Sequence, residues 1–409
     1  MVSAGEVSTD VEALLPVAGV QIGVASAGIK PGSARTDLVM IELAEGSELA
    51  GVFTRNAFCA APVVLARQHL ALGDVRYLLV NSGNANAGTG DRGMADALAC
   101  CQQLAMLAGG QAHQVLPFST GVIGEYLPMD RLLAGLPAVM ESRQLNAWPV
   151  AARGIMTTDT RPKGVSMRLT VDGVPVVITG IAKGSGMIHP DMATMLGFVA
   201  TDAAIAREDL QPLLDELVAD SFNCITVDGD TSTNDACVLA ATGRSGAPLL
   251  GRDSAGWPVF VSALQQVFNR LAEAIVRDGE GATKFMVIQV DEARGREEAR
   301  QVGMTVAHSP LVKTAFFASD PNWGRILAAV GRAGCDDLDL NGIHIWLGDV
   351  QIVEQGQRCQ RYTEAQGQAV MDQPEITVRI VLGRGQASCR VMTCDFSYEY
   401  VRINAEYRS

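Results

Sequence analysis

Residue types that usually build metal sites and disulfide frameworks are scarce or badly spaced in this sequence. The chain has only five histidines, none in an HxH or HExxH spacing, so a zinc site is not expected. Its nine cysteines form no CxxC pair and mostly fall in apolar runs, which favours small core residues over disulfides and fits a reducing compartment. "DGDTSTND" (228–235) lacks the Glu and Gly that an EF-hand loop requires. We therefore expect no bound metal and no structural disulfide.

Long apolar runs and a positive net charge are also lacking. No stretch reaches about 18 uninterrupted apolar residues, and residues 1–20 show no basic segment followed by an apolar one, so neither a transmembrane helix nor a signal peptide is expected. The formal net charge of −13 argues against nucleic acid or an anionic membrane as a partner. The cysteine usage, in turn, predicts a cytoplasmic protein.

Common cofactor and esterase motifs are missing as well. No GxGxxG joins a strand to a helix, "GEGATK" (279–284) lacks the Walker A spacing, and "KGSGM" (183–187) does not match the esterase pattern GxSxG. We expect no bound cofactor. A nucleophilic enzyme with this sequence must therefore present its nucleophile on a structure other than the esterase turn.

The sequence does contain many short β-branched runs separated by amphipathic stretches. Helical spacing of apolar residues predicts helices over 93–107, 207–222 and 259–277, and Asp172-Gly173 between two apolar runs predicts a β-hairpin. The other expected strands are "DLVMIELA", "VRYLLVNSG", "QVLPFSTGV", "NCITVDGD", "ACVLAATG", "KFMVIQVDEA", "ITVRIVLG" and "ASCRVMTCDFS". Because the strands cluster and 409 residues exceed the usual single domain, we predict an α+β protein with two or three cores.

The stretch "HPDMATMLGF" (189–198) places Thr194 directly after the small residue Ala193. One explanation is a threonine that starts a buried strand, since "MLGFVAT" has that composition. The other is chemical, because a threonine hydroxyl needs a nearby base to act as a nucleophile. Cleavage of the Ala193–Thr194 bond, by attack of the hydroxyl on the Ala193 carbonyl, would free an α-amine whose ordinary pKa is roughly 7.7–8.0. That amine could serve as the base, and spacing alone leaves both explanations open.

Longer stretches match the pattern of one enzyme family over essentially the whole chain. They are "GVFTRNAFCAAPV" (51–63), "VNSGNANAGTG" (80–90), "FSTGVIGE" (118–125), "IMTTDTRPK" (155–163), "KGSGMIHPDMATMLGFVATDAAI" (183–205), "TVDGDTSTND" (226–235), "DGEGATK" (278–284), "VKTAFFASDPNWGRILAAVG" (312–331) and "INAEYRS" (403–409). Together they resemble the ornithine acetyltransferases, also called glutamate N-acetyltransferases, of arginine biosynthesis.

This resemblance implies self-cleavage at Ala193–Thr194 into an α chain (1–193) and a β chain (194–409) that stay together, as an α2β2 assembly. It implies an α+β fold in which helices enclose two packed sheets, similar in layering to N-terminal-nucleophile hydrolases but different in connectivity. It also implies a ping-pong reaction, in which acetyl moves from N2-acetyl-L-ornithine to Thr194 and then to L-glutamate. Whether acetyl-CoA is a further donor stays open.

The resemblance also assigns site residues. The oxyanion hole falls on Thr120 and Gly121, which can supply the two hydrogen-bond donors that a developing oxyanion needs. The substrate contacts are Thr157, Lys183, Thr194, Glu280, Asn404 and Ser409. Without the resemblance, "STGV" is an ordinary turn, Lys183 and Glu280 are solvated charges, and the last six residues are a frayed tail.

Two further stretches have compositions that predict local structure. "DPNWGR" (320–325) suits a helix start, and the asparagines of "VNSGNANAG" (80–88) suit left-handed geometry and side-chain caps.

Two other functions fit the same sequence. An N-terminal-threonine amidohydrolase or aminopeptidase of related fold would use the same nucleophile with water as the acceptor. A non-enzymatic structural protein would leave the clustered Thr, Gly and Lys loops as a coincidence.

Overall fold

The computed structural model describes residues 2–3, 5, 7–29, 35–189 and 195–406. In chain order the strands are β1 (Val2–Ser3), β2 (Val7–Ser8), β3 (Val20–Ala25), β4 (Leu38–Leu43), β5 (Glu48–Phe53), β6 (Tyr77–Asn84), β7 (Val115–Val122), β8 (Lys163–Val171), β9 (Val174–Lys183), β10 (Leu196–Thr201), β11 (Ala236–Ala241), β12 (Phe285–Ala293), β13 (His344–Leu347), β14 (Val350–Glu354), β15 (Gln357–Arg358), β16 (Glu375–Val381) and β17 (Ala387–Cys394). The helices are α1 (Ala61–Leu72), α2 (Gly90–Ala108), α3 (Met129–Glu141), α4 (Trp148–Gly154), α5 (Arg207–Ala219), α6 (Trp257–Arg277), α7 (Arg296–Ala307), α8 (Pro310–Phe317), α9 (Trp323–Gly331), α10 (Glu364–Met371) and α11 (Tyr398–Ala405).

The chain forms two compact units, each with its own core. Unit 1 comprises residues 1–184, 190–223 and 231–275, and unit 2 comprises residues 185–189, 224–230 and 276–409. Within the described residues, no helix combines the length and the apolar character needed to cross a membrane.

Unit 1 is built on two sheets packed face to face. One has the strand order β1-β8-β9-β10-β11-β5, with β2 also paired to β8, and the other has the order β3-β4-β6-β7. Apolar side chains from both sheets share one core, in which the rings of Phe118 and Phe198 meet edge to face with centroids 5.2 Å apart. The arrangement confirms the predicted α+β fold with two packed sheets.

Helices cover the outer faces of these sheets, because the central strands are apolar on both sides. In β4, Val39 and Ile41 point into the core between the sheets, whereas Leu38 and Met40 point to the opposite face, where they pack with apolar residues of α2 and α3. Successive side chains of a strand alternate between its faces, so a continuous apolar run predicts a strand buried on both sides.

The predicted cleavage point falls between two neighbouring strands of the larger sheet. β9 and β10 pair antiparallel, with Leu196 opposite Lys183, and β10 pairs parallel to β11, which in turn pairs with β5. After a cut between residues 193 and 194, β10 and β11 would belong to the β chain. They would stay hydrogen-bonded to β9 on one side and to β5 on the other, and both of those strands would belong to the α chain. The two compact units follow a different division, so the predicted α and β chains are not the two folded units.

Unit 2 is built on one six-stranded sheet of order β15-β14-β13-β16-β12-β17. Met286, Ile288 and Val290 of β12 join Val302 and Val306 of α7 in its apolar core. In β16 the buried residues alternate with exposed ones, which is the pattern of a strand with one face in water.

Most predicted elements are confirmed, with boundaries that move by a few residues. The expected hairpin joins β8 and β9, and its turn residues Asp172 and Gly173 have φ angles of 48° and 84°. The predicted strand "NCITVDGD" is wrong, because only Ile225 makes an isolated bridge there, to Met392. The neighbouring Val227 N–H bonds instead to the Ile188 carbonyl, so this segment lines a loop rather than extending a sheet.

Candidate active site

Thr120 and Gly121 lie near the end of β7, in unit 1. A Cβ added at Gly121 would lie 2.3 Å from the Gly83 carbonyl carbon and 2.5 Å from the Asn84 nitrogen, so only glycine fits beside β6 at this point. The φ angle of Gly121 is 134°, which other residues rarely adopt. The close approach of the two strands fixes the backbone that carries the predicted oxyanion donors.

Asparagine side chains hold this strand end in place. Ser119 Oγ donates to Asn81 Oδ1 at 2.6 Å, and Asn234 Nδ2 donates to the carbonyls of Ser119 and Ala85 at 2.9 and 2.6 Å. Asn86 has a φ of 47°, which confirms the predicted left-handed geometry, and its Nδ2 donates to the Gly93 carbonyl at 2.9 Å. The loop therefore supports the strand that carries Thr120.

Lys183, the last residue of β9, reaches the predicted oxyanion residue. Its Nζ donates to Thr120 Oγ1 at 3.1 Å, although the two residues are 63 positions apart in the sequence. We call Thr120, Gly121, Thr157 and Lys183 the lysine group, since all four belong to unit 1.

A buried carboxylate, Asp159, ties the lysine group together. Its Oδ1 accepts hydrogen bonds from Lys163 Nζ at 2.6 Å and from the Gly184 N–H at 2.7 Å, and its Oδ2 accepts from the Thr157 N–H at 3.0 Å. Burial raises the pKa of this carboxyl, but Lys183, Lys163 and the hydrogen bonds outweigh burial and hold the pKa far below its ordinary range. Asp159 is thus ionised at neutral pH.

A second buried carboxyl of unit 1, Asp235, has the opposite character. Burial raises its pKa well above the ordinary value, against the lowering effects of Ser232 and Lys183. Its Oδ2 accepts no hydrogen bond from any described residue. The next residue, Ala236, donates its N–H to the Met195 carbonyl at 2.9 Å, which places Asp235 beside the start of β10.

Glu280 and Asn404 lie together in unit 2, and we call them the glutamate group. Asn404 Nδ2 donates to Glu280 Oε2 at 2.9 Å, and the Glu280 N–H donates to the Ser185 carbonyl at 2.9 Å. A Cβ added at Gly186 would lie 2.4 Å from Glu280 Cδ, so a larger residue at position 186 would displace this carboxylate. Among the described residues, no lysine or arginine forms an ion pair with Glu280.

Asn404 lies in α11, whereas an irregular tail was expected there without the resemblance. Ser397 caps that helix by accepting from the Glu399 N–H, and its hydroxyl donates to the Gly281 carbonyl at 2.6 Å. The helix is therefore fastened to the "GEG" loop that carries Glu280. Ala193, Thr194 and Ser409 lie outside the described residues.

The sequence did not point to Asp159, Lys163, Asn234 or Asp235 as parts of the site. The only signal is the four-residue spacing of Asp159 and Lys163 in "TTDTRPK", and a charged pair at this spacing is usually a solvated one. Their near-complete burial, 0% and 1% of the side chains exposed, depends on contacts that one sequence does not show. The described residues contain no cluster of three or more His, Cys, Asp or Glu side chains arranged to hold a metal ion.

Comparison with known proteins gives one consistent family. The ArgJ family model matches residues 21–409. The chain is 64% identical over 396 residues to the arginine biosynthesis bifunctional protein ArgJ of Methylococcus capsulatus, covering 97% of each chain. It is 56% identical over 400 residues to the protein of the same name from Pseudomonas fluorescens, covering 97% of this chain and 98% of that protein. A crystal structure of ArgJ from Bacillus halodurans is similar, with 39% identity, a TM-score of 0.50, and coverage of 52% of this chain and 100% of that one.

Proposed function

The chain belongs to the ArgJ family, and on that premise we propose that it is a self-cleaving acetyltransferase of arginine biosynthesis. It transfers acetyl from N2-acetyl-L-ornithine to L-glutamate and gives L-ornithine and N-acetyl-L-glutamate. The observation that carries this proposal within the structure is the contact of Lys183 with Thr120, 3.1 Å apart, because it joins a cation to a predicted oxyanion donor. Both belong to stretches that resemble the family.

Thr194 is the proposed nucleophile. Its hydroxyl oxygen bonds to the acetyl carbonyl carbon while its proton passes to the Thr194 α-amine freed by cleavage. Negative charge on the carbonyl oxygen is stabilised by the Thr120 hydroxyl and the Gly121 N–H. The carbon–nitrogen bond then breaks, the ornithine nitrogen takes the proton, and the acetyl group stays on Thr194 as an ester. The glutamate amine reverses these steps and takes the acetyl group.

The lysine group and the glutamate group supply different charges to the substrates. The Lys183 ammonium pairs with the α-carboxylate that both amino acids share. Glu280 has a neutral amide as its hydrogen-bond donor, so its negative charge suits the side-chain ammonium of ornithine. The same charge repels the side-chain carboxylate of glutamate, so Glu280 acts chiefly in the first half-reaction. Thr157, Asn404 and Ser409 complete the proposed substrate contacts.

A second activity, acetylation of glutamate by acetyl-CoA, is also proposed. The two curated relatives are both named bifunctional proteins, which supports two activities on one chain. In this proposal acetyl-CoA is a substrate, and the reaction needs no bound cofactor or metal. Formation of N-acetylglutamate from acetyl-CoA and glutamate, with no acetylornithine present, is the direct assay.

Cleavage at Ala193–Thr194 is proposed to give two chains that remain one protein in the cytoplasm, assembled as α2β2. The insertion of β10 and β11 between β9 and β5 supports their staying together, because separation would break strand pairing on both sides. The whole Bacillus halodurans chain matches 52% of this chain, which is consistent in length with one of two cleaved chains. Light scattering on the purified protein would give the assembly size.

The test of the transferase is ornithine release from N2-acetyl-L-ornithine, measured with and without L-glutamate. The proposal predicts release that depends on glutamate after the first turnover, with an equal amount of N-acetylglutamate formed. Steady release at the same rate without glutamate would make water the acceptor, and the enzyme would be a hydrolase.

A further inference from the structure

We propose that Asp159 is a positioning residue whose carboxylate is the buried counter-charge of Lys183 and holds it in its ammonium form beside Thr120. The inference deepens the proposed function, because it concerns the residue assigned to the substrate carboxylate. It goes beyond that function in giving a role to a side chain outside the predicted site.

The hydrogen bonds of Asp159 fix the positions of three parts of unit 1. The Gly184 N–H holds the end of β9, directly after Lys183, at 2.7 Å from Oδ1. The Thr157 N–H holds the loop after α4 at 3.0 Å from Oδ2, and Lys163 Nζ holds the start of β8 at 2.6 Å from Oδ1. Three hydrogen bonds therefore fix the position of the Asp159 carboxylate.

Charge connects Asp159 to Lys183 as well. The Lys183 ammonium favours the ionised form of Asp159, as does Lys163, which also donates a hydrogen bond to it. Because an electrostatic interaction is mutual, the carboxylate stabilises the Lys183 ammonium by the same amount. The exposed fraction of the Asp159 side chain is 0%, so water screens this interaction little.

Three other described groups near Lys183 do not replace this counter-charge. Thr120 is neutral, and Lys163 is a second cation on the adjacent strand β8. Asp235, which lies just before β11, also interacts with Lys183, but burial favours its uncharged form. Among the described residues, Asp159 is therefore an ionised carboxylate that acts on both Lys163 and Lys183.

The experiment follows the titration of Lys183 by NMR in protein labelled at the lysine ε-carbon. The chain has only five lysines, and the signal lost in Lys183→Arg identifies Lys183. In Asp159→Asn, the Lys183 midpoint should fall by roughly one pH unit or more, because an opposite charge has been removed. In Asp159→Glu, which keeps the charge, the midpoint should stay closer to that of the wild type than to that of Asp159→Asn.

A double variant separates charge from structure. Lys163→Met added to Asp159→Asn removes the second cation, so the Lys183 midpoint should recover at least half of its fall. A purely structural role predicts no recovery, since the double variant has lost both partners of the ion pair. A double variant that falls as far as Asp159→Asn would overturn the proposal.

Two further comparisons keep the test decisive. If Asp159→Asn does not fold, Lys163→Met alone must show a higher Lys183 midpoint than the double variant, because the two differ only in the Asp159 charge. Asp235→Asn is the matched control and should lower the midpoint by less than half as much as Asp159→Asn. An equal fall in Asp235→Asn would assign the counter-charge to Asp235 and overturn the proposal.

Kinetics add a readout tied to substrate binding. Asp159→Asn should raise KM for N2-acetyl-L-ornithine, and the rise should grow with pH above the lowered Lys183 midpoint. A KM rise that is the same at every pH would argue for a structural role and against the proposal. The NMR titration needs no activity, so its failure is distinguishable from failure of the proposed function.

Discussion

Asp159 in unit 1 and Glu280 in unit 2 are both buried carboxylates, but their partners differ in charge. Asp159 accepts from the Lys163 ammonium and from the N–H groups of Thr157 and Gly184. Glu280 accepts from the neutral amide of Asn404, and no ion pair to it exists among the described residues. The negative charge of Asp159 is paired with a lysine of the protein. The negative charge of Glu280 has no cationic partner among the described residues and is available to a cationic ligand.

This difference separates positioning from substrate recognition. Breaking a buried ion pair typically costs about 3–5 kcal/mol, because one charge is left without a partner. Neutralising Glu280 leaves no unpaired buried cation, so the substitution costs little stability. Its main effect is to weaken the binding of a cationic ligand. We therefore expect changes at the proposed oxyanion residues Thr120 and Gly121 to alter the rate and changes in the glutamate group to alter the choice of substrate.

The largest effect is expected at Thr194, which both half-reactions require. Thr194→Ala should remain a single chain of 409 residues and lose activity by a factor on the order of 10⁴ or more. Gel electrophoresis and intact mass measure the first outcome. Thr194→Ser keeps a hydroxyl and should still yield two chains. Two fragments from Thr194→Ala would exclude the intramolecular cut.

Thr120→Ala tests the rate side of the comparison. Loss of one oxyanion donor should lower kcat on the order of 10²–10³-fold, with KM for both substrates changed far less. Thr120→Ser retains the hydroxyl and serves as the control. An effect confined to KM in steady-state kinetics would place Thr120 in substrate binding and remove it from the oxyanion hole.

Glu280→Gln tests the recognition side. Loss of a charge-assisted hydrogen bond is worth about 1.5–3 kcal/mol, so KM for N2-acetyl-L-ornithine should rise roughly 10–100-fold while KM for glutamate does not rise. Glu375→Gln is a matched control, since Glu375 is an exposed carboxylate of unit 2 that pairs with Arg277. An equal rise in KM for both substrates would contradict the assigned role of Glu280.

The smallest effect concerns stability rather than catalysis. His308 in unit 2 has its pKa lowered to about 3, first by burial and then by His189 and nearby cations. The unfolded chain binds this proton near pH 6.5, so acidification below that value favours unfolding until the folded pKa is reached. At pH 5 the contribution lost is roughly 2 kcal/mol.

Urea unfolding at pH 7 and pH 5 measures this loss. His308→Gln has no proton to take up at this position, so its stability should fall less between the two pH values than that of the wild type. An identical pH dependence in the two proteins would show that His308 is protonated in the folded chain. The effect belongs to unit 2 and should leave the kcat of the enzyme at pH 7 unchanged.

Local patterns predicted the elements of the fold more reliably than its polar network. Continuous apolar runs gave β4 and β7, and Asp172-Gly173 gave the hairpin, because each depends on neighbouring residues. The strand expected at "NCITVDGD" failed since Asp228 accepts from the N–H groups of Met187 and Ile188 and holds a loop there. Those partners lie about 40 residues away in the sequence.

The candidate site was predictable only in part for the same reason. The resemblance named Thr120 and Lys183, but their contact spans 63 positions and follows from the placement of β7 and β9. Asp159 was missed because its importance comes from burial beside two lysines, which the letters "TTDTRPK" do not reveal. Charge in a sequence indicates solvent exposure by default, and only the fold shows the exception.

The central claim is that Thr194 carries the acetyl group between the two substrates. The most direct measurement is the intact mass of the chain that begins at Thr194, after mixing with N2-acetyl-L-ornithine and no glutamate. The account predicts a gain of one acetyl group on Thr194 that disappears when L-glutamate is added. A chain that never gains the acetyl group, or that loses it equally fast without glutamate, would contradict the account.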